Sequence, residues 1–317
     1  MAVGLRAGNS KTAISGLGYQ KKARLKLWKK YGIAYLFLAP FVILFCIFIV
    51  IPVLVSFGLS FTRYSMLESP VWVGITNFKI LLMDDDIFII ALKNTLIFAL
   101  ITGPMGYIMS FMAAWVINQL KYKRAFALAF YAPSITSGIA MSVVWMYFFS
   151  GDRYGLINNL LINLGIIVEP IIWNMSEVTI LPVVIIISIW MSMGTGFLVF
   201  LAGLQNVSRE LYEAAAIDGV GSRFQELWYI TLPLLKPQLL FGAINAIVGS
   251  FGVFDVAVSV AGIPSPNYAA HTVVAHLYDF AFIRFQMGYA SAVAVCLFLL
   301  TFMLGRLSMK LFSSRDE

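Results

Sequence analysis

Six long apolar runs dominate this chain. They cover roughly residues 33–59, 94–117, 125–149, 178–204, 238–260 and 289–312. Each is long enough to cross a bilayer as a helix, which takes about 20 residues. Inside hydrocarbon every backbone N–H and C=O has to be bonded internally, so only helices or a closed barrel can span. Barrel strands alternate apolar and polar residues over short segments. These runs are continuous, so the expected fold is an all-α membrane protein with six transmembrane helices. Composition agrees, with 61% hydrophobic and 12% charged residues where a soluble domain has about 45–50% and about 25%.

The first run is too long for the core of a signal peptide and no small-residue cleavage site follows it, so it is expected to remain in the mature chain. Cys46 and Cys296 both fall inside apolar runs. Two such cysteines define neither a disulfide framework nor a metal site.

Basic residues set the orientation. With the N-terminus cytoplasmic, 17 of the 22 Lys and Arg fall in inner segments and 5 in outer ones, the asymmetry that cytoplasmic loops carry. Six crossings then put both termini inside. The net charge of +7 therefore reports topology and gives no reason to expect nucleic acid as a partner. The expected division is a basic cytoplasmic tail over 1–30, one membrane domain over 31–312 and a short cytoplasmic tail over 313–317. The run Lys21-Lys22-Ala23-Arg24-Leu25-Lys26 would lie against anionic headgroups.

Three outer segments follow from that topology. The first carries Asp84-Asp85-Asp86, read as a solvated cap at a helix start, where the dipole favours negative charge. The second places Leu156, Ile157, Leu160, Leu161 and Leu164 on one helical face and Asn158, Asn159 and Asn163 on the other, which predicts a helix lying on the membrane surface with Trp173 as an interfacial anchor. The third carries His271 and His276. Five residues apart they miss a shared helix face, so no metal site is expected.

No G-x-x-x-x-G-K-[ST] phosphate loop, H-E-x-x-H or G-x-S-x-G occurs in the chain, so no catalytic residues are assigned and an enzyme reading has little support. The informative polar stretch is the inner loop 205–237. Ser208 is a good N-cap, with Glu210 in the first turn. Ala214, Ala215 and Ala216 favour helix, and Gly219 and Gly221 end it. Ser222-Arg223-Phe224-Gln225 reads as a capping box opening a second helix. Three alanines leave a smooth surface that can enter a groove on a soluble partner, with Glu213 free to pair with a base there. An ordinary capped loop between membrane helices is the alternative.

This loop resembles the signature of membrane subunits of bacterial ATP-binding-cassette importers. Leu201-Ala202-Gly203-Leu204-Gln205, Leu211-Tyr212-Glu213-Ala214-Ala215, Ile217-Asp218-Gly219 and Ile230-Thr231-Leu232-Pro233 are similar to the carbohydrate-uptake branch, which includes maltose- and glycerol-phosphate-type permeases. Trp72-Val73-Gly74-Ile75-Thr76-Asn77-Phe78, Asn94-Thr95, Trp190 with Gly194, Ser250-Phe251 with Phe254-Asp255, and Gly288-Tyr289-Ala290-Ser291-Ala292 extend the resemblance in order over about 31–300. Two departures stand out. The gap from Gly219 to Ile230 is one residue longer than the usual pattern, and Ala261-Gly262-Ile263-Pro264 stands where a Gly-Gly-Pro segment is usual.

The resemblance implies the type I permease fold of such importers, with a cytoplasmic coupling helix that docks into a cleft of a separate ATPase. On that basis Glu213, Ala214, Ala215, Asp218 and Gly219 are the coupling residues. ATP and its magnesium would be held by two copies of the ATPase subunit, and this chain would need no cofactor of its own. A second, homologous permease chain and an extracytoplasmic solute-binding protein complete the implied assembly, in a bacterial or archaeal cell membrane. The implied cargo is a sugar or oligosaccharide, and the implied substrate-facing residues are Gly194, Phe197, Ser250, Phe251, Phe254 and Asp255. Trp145 and Trp190 are further candidates, with helix packing as the alternative for each. Asp255 is the one ionisable residue well inside an apolar run, a costly placement that by default suggests function; pairing with a neighbouring helix is the alternative.

Two other readings stay open. An ion-coupled secondary transporter would be expected to show inverted repeats, and none is visible. A permease for another solute, such as a glycerol phosphodiester, would want cationic groups in the pore, and no run supplies a central Lys or Arg.

Overall fold

A computed structural model describes residues 31–313 of the chain. The basic lead 1–30 and residues 314–317 of the tail lie outside the described residues. Two compact units divide the chain, residues 1–56 and 57–317, and the division falls within helix α1 (Tyr31–Leu59). That helix carries a π turn at Cys46–Val50, where Ile51 N–H reaches back to Cys46 O. The turn stands just before Pro52, whose ring nitrogen cannot donate to the ladder.

The second unit opens with a short antiparallel pair, β1 (Thr62–Arg63) and β2 (Val71–Trp72), in which Thr62 faces Trp72. Helix α2 (Thr76–Lys79) follows. The buried Asn77 amide of α2 donates to Ser60 O at 2.8 Å and Thr62 O at 2.9 Å, so one side chain pins the pair to the helix.

Helix α3 (Asp86–Asn118) is the axis of this unit and runs unbroken through Pro104. Asp85 caps it, its Oδ1 accepting from Phe88 N–H at 2.9 Å. The triple-aspartate cap is therefore present, but only Asp84 and Asp86 are exposed; Asp85 turns partly inward.

The third apolar run is not one straight helix. It forms α4 (Lys123–Ile135) and α5 (Gly138–Phe148), bent by 98°. Thr136 and Ser137 between them are extended, with ψ of 143° and 130°. The fourth run breaks at Met193 and Gly194 into α7 (Ile180–Ser192) and α8 (Thr195–Asn206). The fifth breaks at 252–254 into α11 (Lys236–Phe251) and α12 (Asp255–Ala261). The last is α14 (Met287–Ser313). Among the described residues five helices are long and apolar enough to cross a membrane, and counting the bent pair as one broken span makes six, the number of apolar runs.

Helix α6 (Leu156–Asn163), between α5 and α7, changes one part of the surface-helix reading, its polar face. Leu156, Leu160 and Leu164 are exposed, whereas Asn158 on the supposedly polar face is fully buried. Its side chain donates to Ser150 O, Asp152 O and Ile171 O and accepts from Ile171 N–H and the Trp173 indole N–H. Trp173 is thus an internal partner, edge-on to Phe149 at 5.7 Å. A helix only eight residues long cannot enclose a core with one face, so a polar side chain organises the segment.

The breaks divide the packing into separate cores. One gathers Phe98, Phe149, Ile180, Val183, Val184, Ile187, Val256, Ala257 and Val260 from α3, α7, α12 and the end of α5. Another gathers Phe111, Ala114, Phe197, Phe200, Leu204, Leu227 and Leu239 from the far half of α3, from α8 and from 227–239. A third joins Leu81, Phe88, Ala91, Val273, Tyr289 and Val293. Lipid is as apolar as leucine, so where these cores lie within the spans they hold by close packing rather than by exclusion of water. Gly194 illustrates the closeness: a Cβ there would overlap the Ser134 side chain.

Candidate functional site

The loop 205–237 folds as its capping signals predict. Ser208 Oγ accepts from Glu210 N–H at 3.2 Å and opens α9 (Arg209–Ile217). Asp218 closes that helix, its N–H bonded to Ala214 O and Ala216 O. Gly219 follows at φ +96°, a left-handed conformation that glycine adopts without a Cβ penalty. The full capping box forms at Ser222 and Gln225 and starts α10 (Arg223–Glu226). This second helix continues through a π turn at Leu227–Thr231 and on through Leu234, so the Leu232-Pro233 pair does not end it.

One contact closes the loop on itself and another ties it to the bundle. The Tyr212 hydroxyl meets Thr231 Oγ1 at 3.0 Å, and the Phe224 ring lies 5.5 Å from the Trp115 ring near the end of α3. The outward side of α9 is exposed among the described residues. Glu213, Ala214 and Asp218 are exposed, and Ala215 is half-buried. Glu213 pairs with Arg209 of its own helix at 3.0 Å. Both side chains are well solvated, so this pair contributes at most about 1 kcal/mol and gives way easily. Ile217, beside them, is 87% exposed.

At the level of the helix breaks lies a cavity of about 470 Å³, within the range of about 300–1,000 Å³ typical of small-molecule sites. Broken backbone at membrane depth is tolerated where it lines such a space. Its polar lining comes from Thr102, Tyr107, Ser110, Ser134, Ser188, Ser192, Asn245 and Ser250, and among the described residues no charged side chain contributes. Most of these groups donate to backbone: Ser134 to Tyr131 O, Ser192 to Ile189 O, Asn245 to Phe241 O, Ser250 to Ile247 O and Tyr107 to Leu239 O. Their remaining lone pairs are acceptors. Ser188 Oγ is buried with no hydrogen-bond partner among the described residues, and can both donate and accept. Such a surface suits a neutral ligand rich in hydroxyl groups.

Of the six residues the resemblance implied for substrate, only Ser250 lines this cavity. Gly194 is buried under Ser134. Phe197 is fully enclosed, its ring stacked at 6.0 Å on Phe130. Phe251 is buried, and Phe254 packs at 4.9 Å on Tyr278. Asp255 is exposed at the start of α12, where a Cβ on Gly138 would stand 3.4 Å from its Cβ. Trp145 and Trp190 pack edge to face at 5.4 Å, outside the cavity lining. The sequence signal for the cavity was the scatter of hydroxyls through apolar runs, such as Ser188 and Ser192 four residues apart on one face of α7. Among the described residues no cluster of three His, Cys, Asp or Glu can hold a metal ion.

Comparison with known proteins adds identity to this geometry. The family described as "Binding-protein-dependent transport system inner membrane component" matches residues 27–315. The probable ABC transporter permease protein YesP of Bacillus subtilis (strain 168) is 35% identical over 88% of this chain and 90% of its own. The arabinooligosaccharides transport system permease protein AraP of the same organism is 32% identical over 90% of each chain. The lactose transport system permease protein LacF of Rhizobium radiobacter is 33% identical over 86% of this chain and 91% of its own. A chain in the crystal structure of a bacterial ABC transporter involved in import of the acidic polysaccharide alginate superposes with a TM-score of 0.78. It covers 93% of this chain and 100% of its own at 23% identity, a likeness of fold.

Proposed function

This chain belongs to the family of binding-protein-dependent transport system inner membrane components, and from that premise we propose that it is one permease subunit of an ATP-driven importer of neutral oligosaccharides. The observation that carries the reading is the pairing of an exposed, doubly capped α9 with an uncharged, hydroxyl-lined cavity at the helix breaks. Relatives named for arabinooligosaccharide and lactose transport support it.

In this reading α9 faces the cytoplasm, both termini lie inside, and the loop docks on one of two ATPase subunits that hold ATP and magnesium. A second permease chain completes the pore, and a soluble binding protein delivers cargo from outside. ATP-driven closure of the ATPases would draw the coupling helices together and open the cavity outward, and hydrolysis would reset it. Glu213, Ala214, Ala215, Asp218 and Gly219 are the proposed docking residues. Ser188 and Ser250, with the other cavity hydroxyls, are the proposed cargo contacts. The absence of any charged lining group favours neutral sugars over uronic acids or glycerol phosphodiesters, because a buried unpaired anion is costly.

The test is reconstitution of the assembly in proteoliposomes, with neutral and uronic oligosaccharides offered through the binding protein. Neutral oligosaccharides should accumulate inside and stimulate ATP hydrolysis, and Ser188→Val should weaken both. Uptake driven by an ion gradient without the ATPase would overturn the reading.

A further inference from the structure

Several sequence features with no part in the coupling loop or cavity meet at one place in the fold. Asp85, Asn94, Thr95, His271, His276 and Tyr289 are far apart along the chain. In space they tie the starts of α3 and α14 to the segment that carries α13 (Val273–Tyr278). Asn94 donates to Tyr268 O and His271 O, and Thr95 Oγ1 accepts from Val273 N–H at 2.9 Å. Tyr289 donates its hydroxyl to Asp85 Oδ2.

At the centre are two imidazoles. His271 and His276 are each 1% exposed and lie edge to face at 5.6 Å. Phe88, Phe280 and Tyr289 pack around His276, and Tyr268 packs on His271. Neither nitrogen of His271 nor Nδ1 of His276 has a hydrogen-bond partner among the described residues. Asp85 Oδ2 stands 3.2 Å from His276 Nε2. The two rings meet although they share no helix: His271 lies before α13 and His276 within it.

We propose that His271 and His276 form an acid-sensitive joint: while both are neutral they hold the α13 segment against α3 and α14, and proton uptake there releases it. The cause is room for charge. A cation on His276 finds Asp85, already engaged by Tyr289 and Phe88. A cation on His271 finds a second imidazole instead. The other charges nearby are Asp279 and Arg284, which already pair with each other at 2.8 Å.

The titration properties run the same way. Burial, with the neighbouring His276, pushes His271 down to about 4. Burial also pushes His276 down, against the pull of Asp85 and Asp279. Burial pushes Asp85 up, but the Tyr289 hydroxyl and the Phe88 N–H outweigh it and hold the carboxyl below its usual range. The unfolded segment therefore binds more protons than the folded one. Stability is fully present above the ordinary imidazole value near 6.5 and is lost as pH falls toward about 4.

The experiment is hydrogen exchange on the full assembly in lipid nanodiscs at pH 7.5 and pH 5.0, corrected for intrinsic rates. Peptides covering 268–283 should lose protection by an order of magnitude at acid pH, while those in α8 hold theirs. His271→Gln with His276→Gln should abolish the pH response. A wild-type segment whose protection does not change with pH, or a double variant that keeps the response, would overturn the proposal. The wild-type arm needs no substitution, so it decides even if the variant fails to assemble. That this joint faces the outside rests on the transport reading; its proton sensitivity does not, and exchange reads it whether or not the assembly transports sugar.

Discussion

Ser134 sits directly on Gly194, so closely that a Cβ on the glycine would overlap the serine side chain. The contact joins the end of α4 to the break between α7 and α8, beside the cavity. Gly194 has negative φ, −88°, so its requirement is for space and not for unusual backbone.

Gly194→Ala should therefore destabilise the bundle by about 1–3 kcal/mol through overpacking. Ser134→Gly in the same chain should restore most of the loss. Thermal melting of the purified assembly checks this, and wild-type melting of the single variant would show that the two helices part easily.

Glu213→Lys should leave folding almost untouched, because the Arg209–Glu213 pair is 91% and 64% exposed and exposed pairs contribute little. Cargo-stimulated ATP hydrolysis should nevertheless be lost in the reconstituted assembly. Unchanged stimulation would remove Glu213 from the docking surface.

Asn158→Ala should loosen the 150–179 segment locally. Five hydrogen bonds converge on this buried side chain, and its loss orphans backbone carbonyls and an indole N–H, a cost of about 3 kcal/mol. Limited proteolysis should cut there at least several times faster, with the cores around α8 still protected. Equal cutting rates would show that the segment is held by other contacts.

Asp255→Ala should slow uptake by roughly tenfold, about 1.4 kcal/mol, with assembly intact. The residue is exposed at a helix break next to the cavity, so little packing is lost with it. Normal uptake in proteoliposomes would leave Asp255 without a role in transport.

The elements legible in the sequence were those set by local rules. The spans followed from run length, since hydrocarbon permits only helices there. The loop 205–237 followed from capping chemistry: Ser208, Gly219 and the Ser222–Gln225 box act over three or four residues, and each takes the expected geometry. The cavity was less legible. Hydropathy gives no phase for an apolar run, so it could not tell that Phe197 turns into a core while Ser188 turns into a cavity.

By itself, then, the sequence determined a six-span helical membrane protein with a capped, exposed loop, because length, apolarity and caps act on near neighbours. Tertiary structure alone decided where the spans break, which hydroxyls share a cavity, and that Asp85 meets Tyr289, 204 residues along the chain, and His276. Those contacts depend on how helices approach in three dimensions, and no periodicity along the chain encodes that distance.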